Sequence, residues 1–283
     1  MQKRKVMLVV FLGVFCLSMS LVDARAQDSA AESGAPGVAQ AEMEEFLLDA
    51  NVDETQTLSR GVTGAMLANL SRGDQAHQAQ IQTVDIFKPT MKIGGQTIRN
   101  FRDSYRYNIA AYELDKMLGT NLVPATVARP YKGKKAAFTV WVAPVMMTEA
   151  TRMANNAMPP DAESWNFQIN RIRVFTQLIY DTDPNLGNLL ITSQWRLWKV
   201  DLTRSFRQFK QLMDESKLLT IDQDFYDALK TLTLDSCKET LGDQLSGPEI
   251  KGLLARRDLI IEIFDVAAAA KGRDAVITTA PSD

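Results

Sequence analysis

Histidine and cysteine are nearly absent from this chain: His77 is its one histidine, and Cys16 and Cys237 are its two cysteines. A single histidine argues against a multi-histidine zinc site and against a serine–histidine–aspartate triad. Basic residues are not in excess either, since 32 lysines and arginines face 34 aspartates and glutamates. A nucleic-acid binder shows a basic face, so this balance disfavours nucleic acid as a partner.

The first 26 residues predict an export signal. A basic start at residues 3–5 precedes an apolar run from Val6 to Val22, and residues 24–26 offer an A-x-A cleavage site. The run is short for a membrane-spanning helix, which needs about 20 residues, although a retained N-terminal anchor stays open. Phe15 before Cys16 is too bulky for lipoprotein processing. We therefore expect an exported protein, periplasmic or secreted, that would meet a membrane only if the N-terminal segment were retained.

Cleavage after residue 26 leaves 257 residues, enough for one large domain or for two lobes that share a cleft. Cys237 is then the one remaining cysteine, so no intramolecular disulfide can form. Residues 27–42 are small and polar without an apolar period, which predicts a disordered linker. Order is expected to begin near Glu44.

Strand patterns dominate the first half of the remaining chain. A turn at residues 72–74 predicts a hairpin between Gly61 and Phe87, and two further strands, 123–131 and 135–147, are expected around a turn at Lys132-Gly133. Between these strand pairs we predict a helix over residues 104–118, capped by Asp103.

Helical patterns dominate the second half. Asp161 is predicted to cap a helix whose apolar residues recur at helical spacing (Trp165, Ile169, Ile172, Phe175, Ile179). After a short hairpin the chain is expected to be helical up to Gly272, with Ser246 and Glu249 as a capping box, and residues 273–283 to be a tail. Strands followed by helices predict an α+β fold of two lobes around a cleft, with a β-rich N-lobe that contains one helix (residues 43–147) and a mostly helical C-lobe (residues 148–272).

Aspartate and asparagine cluster around the hairpin in residues 180–201, "YDTDPNLGNLLITSQWRLWKVD". Asp183 and Asn188 are five residues apart, which is the step between the base and a metal ligand in the catalytic loop of protein kinases. Asp181 does not fit this step, because five residues later lies Leu186. The spacing therefore selects Asp183 over its neighbour.

The strands of this hairpin bring a third polar residue into the cluster. If the turn is centred between Gln194 and Trp195, antiparallel pairing places Asn188 opposite Asp201 at the open end. A carboxylate and an amide oxygen at that distance can share one Mg²⁺ ion. We predict that Asp183 lies near the same end, where it can accept a proton from an attacking hydroxyl.

Two parts of the chain resemble known kinases. The segments "DPNLGNLL" and "WRLWKVDLTRSF" resemble the catalytic and metal-binding segment of the phosphatidylinositol kinase group. The segments "FKPTMKIG" and "RYNIAAYELDKMLGTNLVPATV" resemble the lysine strand and the following helix of type II phosphatidylinositol 4-kinases, and a set of exported bacterial proteins with a kinase-like core. The resemblance covers about residues 80–210 and implies an atypical protein-kinase-like fold.

The resemblance also implies a role for each motif residue. Lys88 would bind the nucleotide phosphates, Asp183 would be the catalytic base, and Asn188 and Asp201 would hold Mg²⁺. Residues 139–147, "TVWVAPVMM", would line the adenine pocket and link the lobes. The implied cofactors are ATP and Mg²⁺, with Mn²⁺ as an alternative. The acceptor would be a hydroxyl group of a protein, a lipid or a sugar.

An alternative function stays open at this point. Asn108 stands where these kinases carry a glutamate that pairs with the lysine, and Leu202-Thr203 stands where Phe-Gly is usual. Both departures are typical of a pseudokinase, a catalytically dead binding or scaffold module. Because Asp183, Asn188 and Asp201 are all present, we expect an ATP-dependent phosphotransferase ahead of a pseudokinase. A lipid-surface protein is disfavoured, since no basic amphipathic face is evident.

Overall fold

Antiparallel strands make up most of the first half of the described chain, and helices make up most of the second. The structure, a computed structural model, describes residues 36–58, 64–93 and 95–281. Residues 41–283 belong to one compact unit, and of the unit before it only residues 36–40 are described. In the described residues, no helix combines the length and the apolar character that crossing a membrane requires.

The described residues form twelve strands and seven α-helices. The strands are β1 (Asn51–Thr57), β2 (Met66–Arg72), β3 (Gln75–Gln82), β4 (Asp85–Ile93), β5 (Gln96–Ser104), β6 (Thr126–Tyr131), β7 (Lys134–Val140), β8 (Val145–Thr148), β9 (Leu189–Thr192), β10 (Leu197–Lys199), β11 (Ile221–Asp222) and β12 (Ile277–Thr278). The helices are α1 (Pro36–Asp49), α2 (Arg106–Leu118), α3 (Glu149–Ala154), α4 (Ala162–Ile179), α5 (Gln223–Thr231), α6 (Leu234–Leu241) and α7 (Gly247–Lys271).

Helix α1 corrects one prediction at the start of the chain. Residues 36–42, which were predicted to be disordered, form the first half of α1. Alanine, glutamine and glutamate favour a helix, and Pro36 is tolerated at its first turn. The predicted signal segment and residues 27–35 of the predicted linker lie outside the described residues.

Five strands form one antiparallel sheet in the order β1-β2-β3-β7-β6. Gly73, at a φ of 59°, lies in the turn between β2 and β3, which confirms the first predicted hairpin. Lys132 and Gly133 form the turn between β6 and β7 as predicted. The predicted strand 135–147 is instead two strands, β7 and β8. The chain leaves the sheet at residues 141–144, and β8 pairs with β9 in a second, three-stranded sheet.

Strands β4 and β5 form a separate hairpin, and it changes the predicted start of the following helix. Asp103 and Ser104 are the last residues of β5, whereas α2 begins at Arg106 and has no side-chain cap. The prediction that Asp103 caps this helix is therefore wrong. Its carboxylate is held by Arg204 instead, 101 residues further along the chain.

Two helices of the second half match their predictions. Asp161 caps α4 by accepting a hydrogen bond from the Glu163 N–H group, and the predicted apolar stripe of α4 is buried or half-buried. At the start of α7, the Glu249 carboxylate accepts hydrogen bonds from the N–H and hydroxyl groups of Ser246. The β-rich first half, which holds two helices (α1 and α2) where one was predicted, and the mostly helical second half confirm the predicted α+β class.

Two predictions for the second half are wrong. Residues 203–220 are irregular apart from a single 3₁₀ turn, although a helix was expected there. The predicted tail is partly folded, because β12 pairs in parallel with β11 and both Val276 and Ile277 are buried. Burial of these two apolar side chains favours order in that short segment.

Candidate active site

The β9–β10 hairpin carries Asn188 and Asp201 at its open end, but in a different register from the predicted one. Lys199 pairs with Leu189, and the Val200 N–H group donates to the Asn188 carbonyl at 2.9 Å. Asn188 therefore lies opposite Val200, and Asp201 follows one residue beyond the pairing. The predicted pairing of Asn188 with Asp201 is wrong by one position.

Helix α4 explains the shift of register. The hairpin loop has three residues, Ser193–Trp195, and Trp195 adopts a left-handed φ of 60°. The side-chain amide of Gln168 donates to the Trp195 carbonyl at 3.1 Å and accepts from the Leu197 N–H group at 2.8 Å. A contact with another element thus selects the three-residue loop over the two-residue turn that was expected.

Asp201 has an unusual backbone conformation that fits its position at the end of a strand. Its φ of 56° lies in the left-handed region, which few residues other than glycine adopt and in which aspartate and asparagine are enriched. The next N–H group, of Leu202, donates to the Asn108 side-chain oxygen at 2.8 Å. Asn108, which stands where a glutamate was expected, therefore holds the segment after Asp201 against α2.

Asp183 is held by Asp181, the aspartate that the spacing rule set aside. The Asp183 N–H group donates to Asp181 Oδ1 at 3.0 Å, and Asp181 Oδ2 lies 2.7 Å from Lys199 Nζ. Asp181 and Lys199 have side-chain exposures of 1% and 3%, so this ion pair is buried. The Asp183 side chain is 40% exposed, so a ligand in solution can reach it.

The Arg204 guanidinium group forms ion pairs with two carboxylates, those of Asp103 and Asp183. Its Nε lies 3.0 Å from Asp103 Oδ2, and its Nη1 lies 2.8 Å from Asp183 Oδ2. Asp103 is almost fully buried, and its Oδ1 has no hydrogen-bond partner in the described part of the chain. The last strand of the β4–β5 hairpin thus adds an acid that the sequence analysis interpreted as a helix cap.

Asp201 belongs to the same cluster of charges. Burial by the surrounding protein raises the pKa of its carboxyl group, and the nearby charges of Asp103 and Asp183 raise it further, although Asp201 still reaches solvent. The Thr203 hydroxyl donates to Asp201 Oδ1 at 3.3 Å and opposes this effect, as does the charge of Arg204. Asp103 and Asp183 therefore contact one guanidinium group, and Asp201 lies near enough for their charges to act on it; we call these three aspartates the acid cluster.

Lys88 lies on β4, where it is exposed and makes no ion pair with any described residue. Its partner across the hairpin is Phe101, and the pair two positions earlier is Ile86 with Asp103, so Lys88 shares a face of the hairpin with Asp103. The ring of Phe101 packs 5.5 Å from the Arg204 guanidinium carbon. Lys88 is therefore on the side of the acid cluster, but it does not contact the cluster.

A narrow recess separates the large sheet from the hairpin end. Gln80, Thr139, Asn108, Lys199 and Asp201 contribute to its walls, and its volume is about 10 Å³. That is room for a single water molecule, so an adenine ring enters only if the walls separate.

At the link between the sheets, the predicted adenine-binding segment exposes three apolar side chains to solvent: Trp141, Val145 and Met146.

Sequence reasoning missed Asp103, Asp181, Lys199 and Arg204. Arg204 carried a local signal, since it is the first basic residue after Asp201 in "VDLTRSF" and follows it by three positions. The other three carried none, because only the fold shows that Asp103 reaches Arg204 and that Asp181 is buried against Lys199. Among the described residues, no group of three or more histidine, cysteine, aspartate or glutamate side chains is arranged to hold a metal ion by itself.

Comparison with known proteins gives one clear result. No protein-family model and no curated protein match the sequence. The structure, however, has the atypical kinase-like fold, a two-lobed α+β architecture that is shared by several solved kinases. This confirms the predicted fold class.

The solved structures that it resembles include a Fam20 protein and the Golgi casein kinase. A hydra Fam20 structure with sugar superposes with a TM-score of 0.63 at 13% identity, covering 87% of this chain and 94% of that one. The Golgi casein kinase gives 0.60 at 11% identity, covering 88% and 80%, and the structure of the Golgi casein kinase with Mn/ADP bound gives 0.58 at 10%, covering 86% and 80%. At such identities the likeness shows the fold alone. The resemblance to type II phosphatidylinositol 4-kinases stays a prediction.

Proposed function

We propose that the protein is an exported phosphotransferase that moves the γ-phosphoryl group of ATP to a hydroxyl acceptor. One observation carries the proposal: Arg204 contacts both Asp183 and Asp103, and Asp201 is near enough for the charges of all three residues to act on it. A solved structure of the same fold, the Golgi casein kinase, has Mn/ADP bound, which supports a nucleotide and a divalent metal as ligands. Export rests on the signal pattern of residues 1–26.

The donor groups of the site fit a hard divalent cation. Asp201 supplies a carboxylate, Asn188 an amide oxygen, and Asp103 Oδ1 is a buried carboxylate oxygen with no partner among the described residues. Mg²⁺ and Mn²⁺ prefer oxygen ligands and complete their shell with water and phosphate oxygens. Asp201 and Asn188 would hold the metal ion, which supplies charge neutralisation for the phosphates when bound. Burial raises the pKa of Asp201 most, and the charges of Asp103 and Asp183 raise it further, so a bound cation would relieve this repulsion.

Asp183 is the candidate base. Arg204 contacts Asp183 Oδ2, which leaves Oδ1 of a 40% exposed side chain to accept the proton of an attacking hydroxyl. Asp181 fixes the backbone of Asp183 through the N–H hydrogen bond, and Lys199 fixes Asp181. Lys88, on the hairpin face that carries Asp103, would contact the nucleotide phosphates when the recess opens. In this scheme the protein contributes positioning and electrostatics, as in other phosphoryl transfers.

The test compares Asp201→Asn with wild type in thermal unfolding of the full chain. We expect ADP with Mn²⁺ or Mg²⁺ to raise the melting temperature of wild type, since a ligand at about 100 times its Kd adds roughly 2.7 kcal/mol. Asp201→Asn should lose this gain. Without ligand it should melt no lower than wild type, because it relieves repulsion from Asp103 and Asp183. Asp243→Asn, an exposed acid remote in sequence from the cluster, is the matched control and should keep the gain.

Turnover distinguishes this function from the second candidate, a pseudokinase that serves as a binding or scaffold module. The buried Asn108 is committed to Leu202 and leaves Lys88 without a carboxylate partner on α2, which favours that candidate. We expect Asp183→Asn to keep the ADP-dependent stabilisation and to lower ADP formation from ATP, with water or an added hydroxyl compound as the phosphoryl acceptor, by about 10²–10⁴-fold. Stabilisation by metal and ADP without ADP formation from ATP in wild type, with protein, lipid and sugar hydroxyls supplied, would identify a pseudokinase. The absence of any nucleotide effect would contradict both candidates.

A further inference from the structure

A second cavity lies on the other face of the β4–β5 hairpin from Lys88. Its volume is about 190 Å³, and none of its lining residues lines the recess at the acid cluster. Phe87 and Arg102, which are cross-strand partners on this hairpin, form one wall together with Asn100, and residues 206–209 with Glu249 at the start of α7 form the rest. A cavity of about 150 Å³ holds a benzene molecule, so this one has room for a small ring-sized group.

The charge of this cavity is unbalanced. Arg102 and Arg207 both line it, and neither forms an ion pair with any residue in the described part of the chain. Burial lowers the pKa of Arg207 and the nearby charge of Arg102 lowers it further, whereas the charge of Glu249 raises it. The one carboxylate in the lining, Glu249, is already engaged by the Tyr107 hydroxyl at 2.6 Å and by Ser246. Two guanidinium groups therefore share the lining with a single carboxylate, so the cavity keeps a net positive charge.

Hydrogen bonds fix this arrangement. Arg207 is 6% exposed, and its Nη2 donates to the Arg99 carbonyl at 3.0 Å, so its side chain is tied to β5. The carbonyl groups of Arg207 and Phe209 in turn accept hydrogen bonds from the fully buried Arg256. The cation is thus part of a rigid wall and is not a mobile surface side chain, which is the preorganisation that an anion site requires.

The opening of the cavity is aromatic. Phe87 is 54% exposed and Phe209 is 41% exposed, although rings of this size are usually covered. The Arg102 guanidinium carbon lies 4.7 Å from the centre of the Phe87 ring, so charge and apolar surface adjoin each other. A ligand that fits such a site carries both an anionic group and an apolar body.

We propose that this cavity binds an oxyanion, a carboxylate or a phosphate group, that is carried on an aromatic or apolar body. Arg102 and Arg207 contact the anionic group, and Phe87 and Phe209 contact the body. Arginine suits this task because its planar fork of donors matches both carboxylate and phosphate. The site is separate from the acid cluster and does not depend on the proposed phosphotransfer.

Calorimetric titration of the full chain with phenyl phosphate, benzoate and benzyl alcohol tests the proposal. EDTA is present throughout, so that phosphate cannot bind through a divalent metal at the acid cluster. We expect saturable binding of phenyl phosphate or benzoate, and binding of benzyl alcohol at least tenfold weaker. Comparison of the two anions shows which oxyanion the pocket takes, and binding of either one supports the site. Benzyl alcohol binding as tightly as both anions, or no saturable binding of either anion, would overturn the proposal.

Variants on one strand provide the matched comparison. Arg102→Gln should weaken binding of the anion by roughly tenfold or more, since charge-assisted hydrogen bonds are the strong ones. Arg99→Gln removes the same charge from the exposed, opposite face of β5 and should leave binding unchanged. Equal losses of anion affinity in both variants would show that the anion responds only to the overall charge of the protein, and this would overturn the proposed site. The melting gain with ADP and Mn²⁺, measured in the same variants, reports separately on the proposed function.

Discussion

At the scale of single residues, a buried ion pair between Lys199 and Asp181 holds the candidate base Asp183 in position. Lys199 Nζ and Asp181 Oδ2 are 2.7 Å apart, and both side chains are almost wholly excluded from solvent. Asp181 also accepts a hydrogen bond from the N–H group of Asp183. A buried charge is tolerated only when it is paired and hydrogen-bonded. The position of Asp183 therefore depends on a lysine on the far strand of the hairpin.

We expect Lys199→Met to destabilise the protein by about 3–5 kcal/mol, because it leaves the Asp181 carboxylate buried and unpaired. Adding Asp181→Asn should recover much of this loss, since an amide carries no charge that needs a partner. Urea unfolding measures both effects. Lys217→Met breaks an exposed pair with Asp214 and should cost at most about 1 kcal/mol. Similar losses for the two lysine variants would contradict a structural role for the buried pair.

The same residues show what a spacing rule can and cannot detect. The five-residue step separated Asp183 from Asp181 on the basis of the sequence, and the structure leaves Asp183 exposed and Asp181 buried. The rule could not assign a task to Asp181, because burial against Lys199 depends on the fold of both strands. Asp103 shows the same limit. A carboxylate before a helix pattern predicts a cap, and only tertiary contact reveals Arg204 as its partner.

At the scale of elements, the β9–β10 hairpin was predicted, but its register was not. The apolar alternation of the two strands indicates a hairpin, while the position of its turn depends on Gln168 of α4. Propensity alone would not place a tryptophan at a left-handed φ of 60°. The edge contact between Trp195 and Trp165, with ring centres 5.7 Å apart, adds to the preference for this loop. Local sequence therefore predicts the element, and packing selects its register.

Gln168→Ala tests this account of the loop. The substitution removes a donor for the Trp195 carbonyl and an acceptor for the Leu197 N–H group, so we expect a loss of about 1–3 kcal/mol in the free energy of unfolding. Asn166→Ala, on the exposed side of the same helix, should be neutral or slightly stabilising, because alanine favours helices. Chemical denaturation followed by tryptophan fluorescence measures both. Equal stability of the two variants would refute the role of Gln168.

The β4–β5 hairpin has two faces with different chemistry. One face carries Lys88 and Asp103 toward the acid cluster, and the other carries Phe87 and Arg102 toward the cavity of about 190 Å³. Alternation of side chains along a strand makes this division unavoidable once the register is set. A ligand in the cavity and a metal–nucleotide complex at the acid cluster would thus contact the same two strands.

At the scale of the whole molecule, the order of elements determined most of what could be predicted. A run of strands with one helix, followed by helices, indicated a two-lobed α+β fold, and the comparison with solved kinases confirms it. The ends of the fold were less predictable. Residues 36–42 and 276–277 have weak patterns by themselves, and the latter gain order from burial against the rest of the chain. The predicted boundary between lobes at residues 147 and 148 stays a prediction.

The single histidine offers a test of stability for the molecule as a whole. His77 is half-buried on β3, where its ring meets the ring of Phe46 edge-on at 4.7 Å, and burial lowers its pKa below the ordinary value of 6.5. The unfolded chain therefore binds a proton more readily than the folded chain, so the stability contributed by neutral His77 is present above about pH 6.5 and is lost on acidification. We expect wild type to lose more stability than His77→Gln between pH 7.5 and 5.5. Urea unfolding at both pH values gives the difference, in which the carboxylates common to the two proteins cancel. Parallel losses, or a steeper loss in the variant, would show that His77 is not held in its neutral form by the fold.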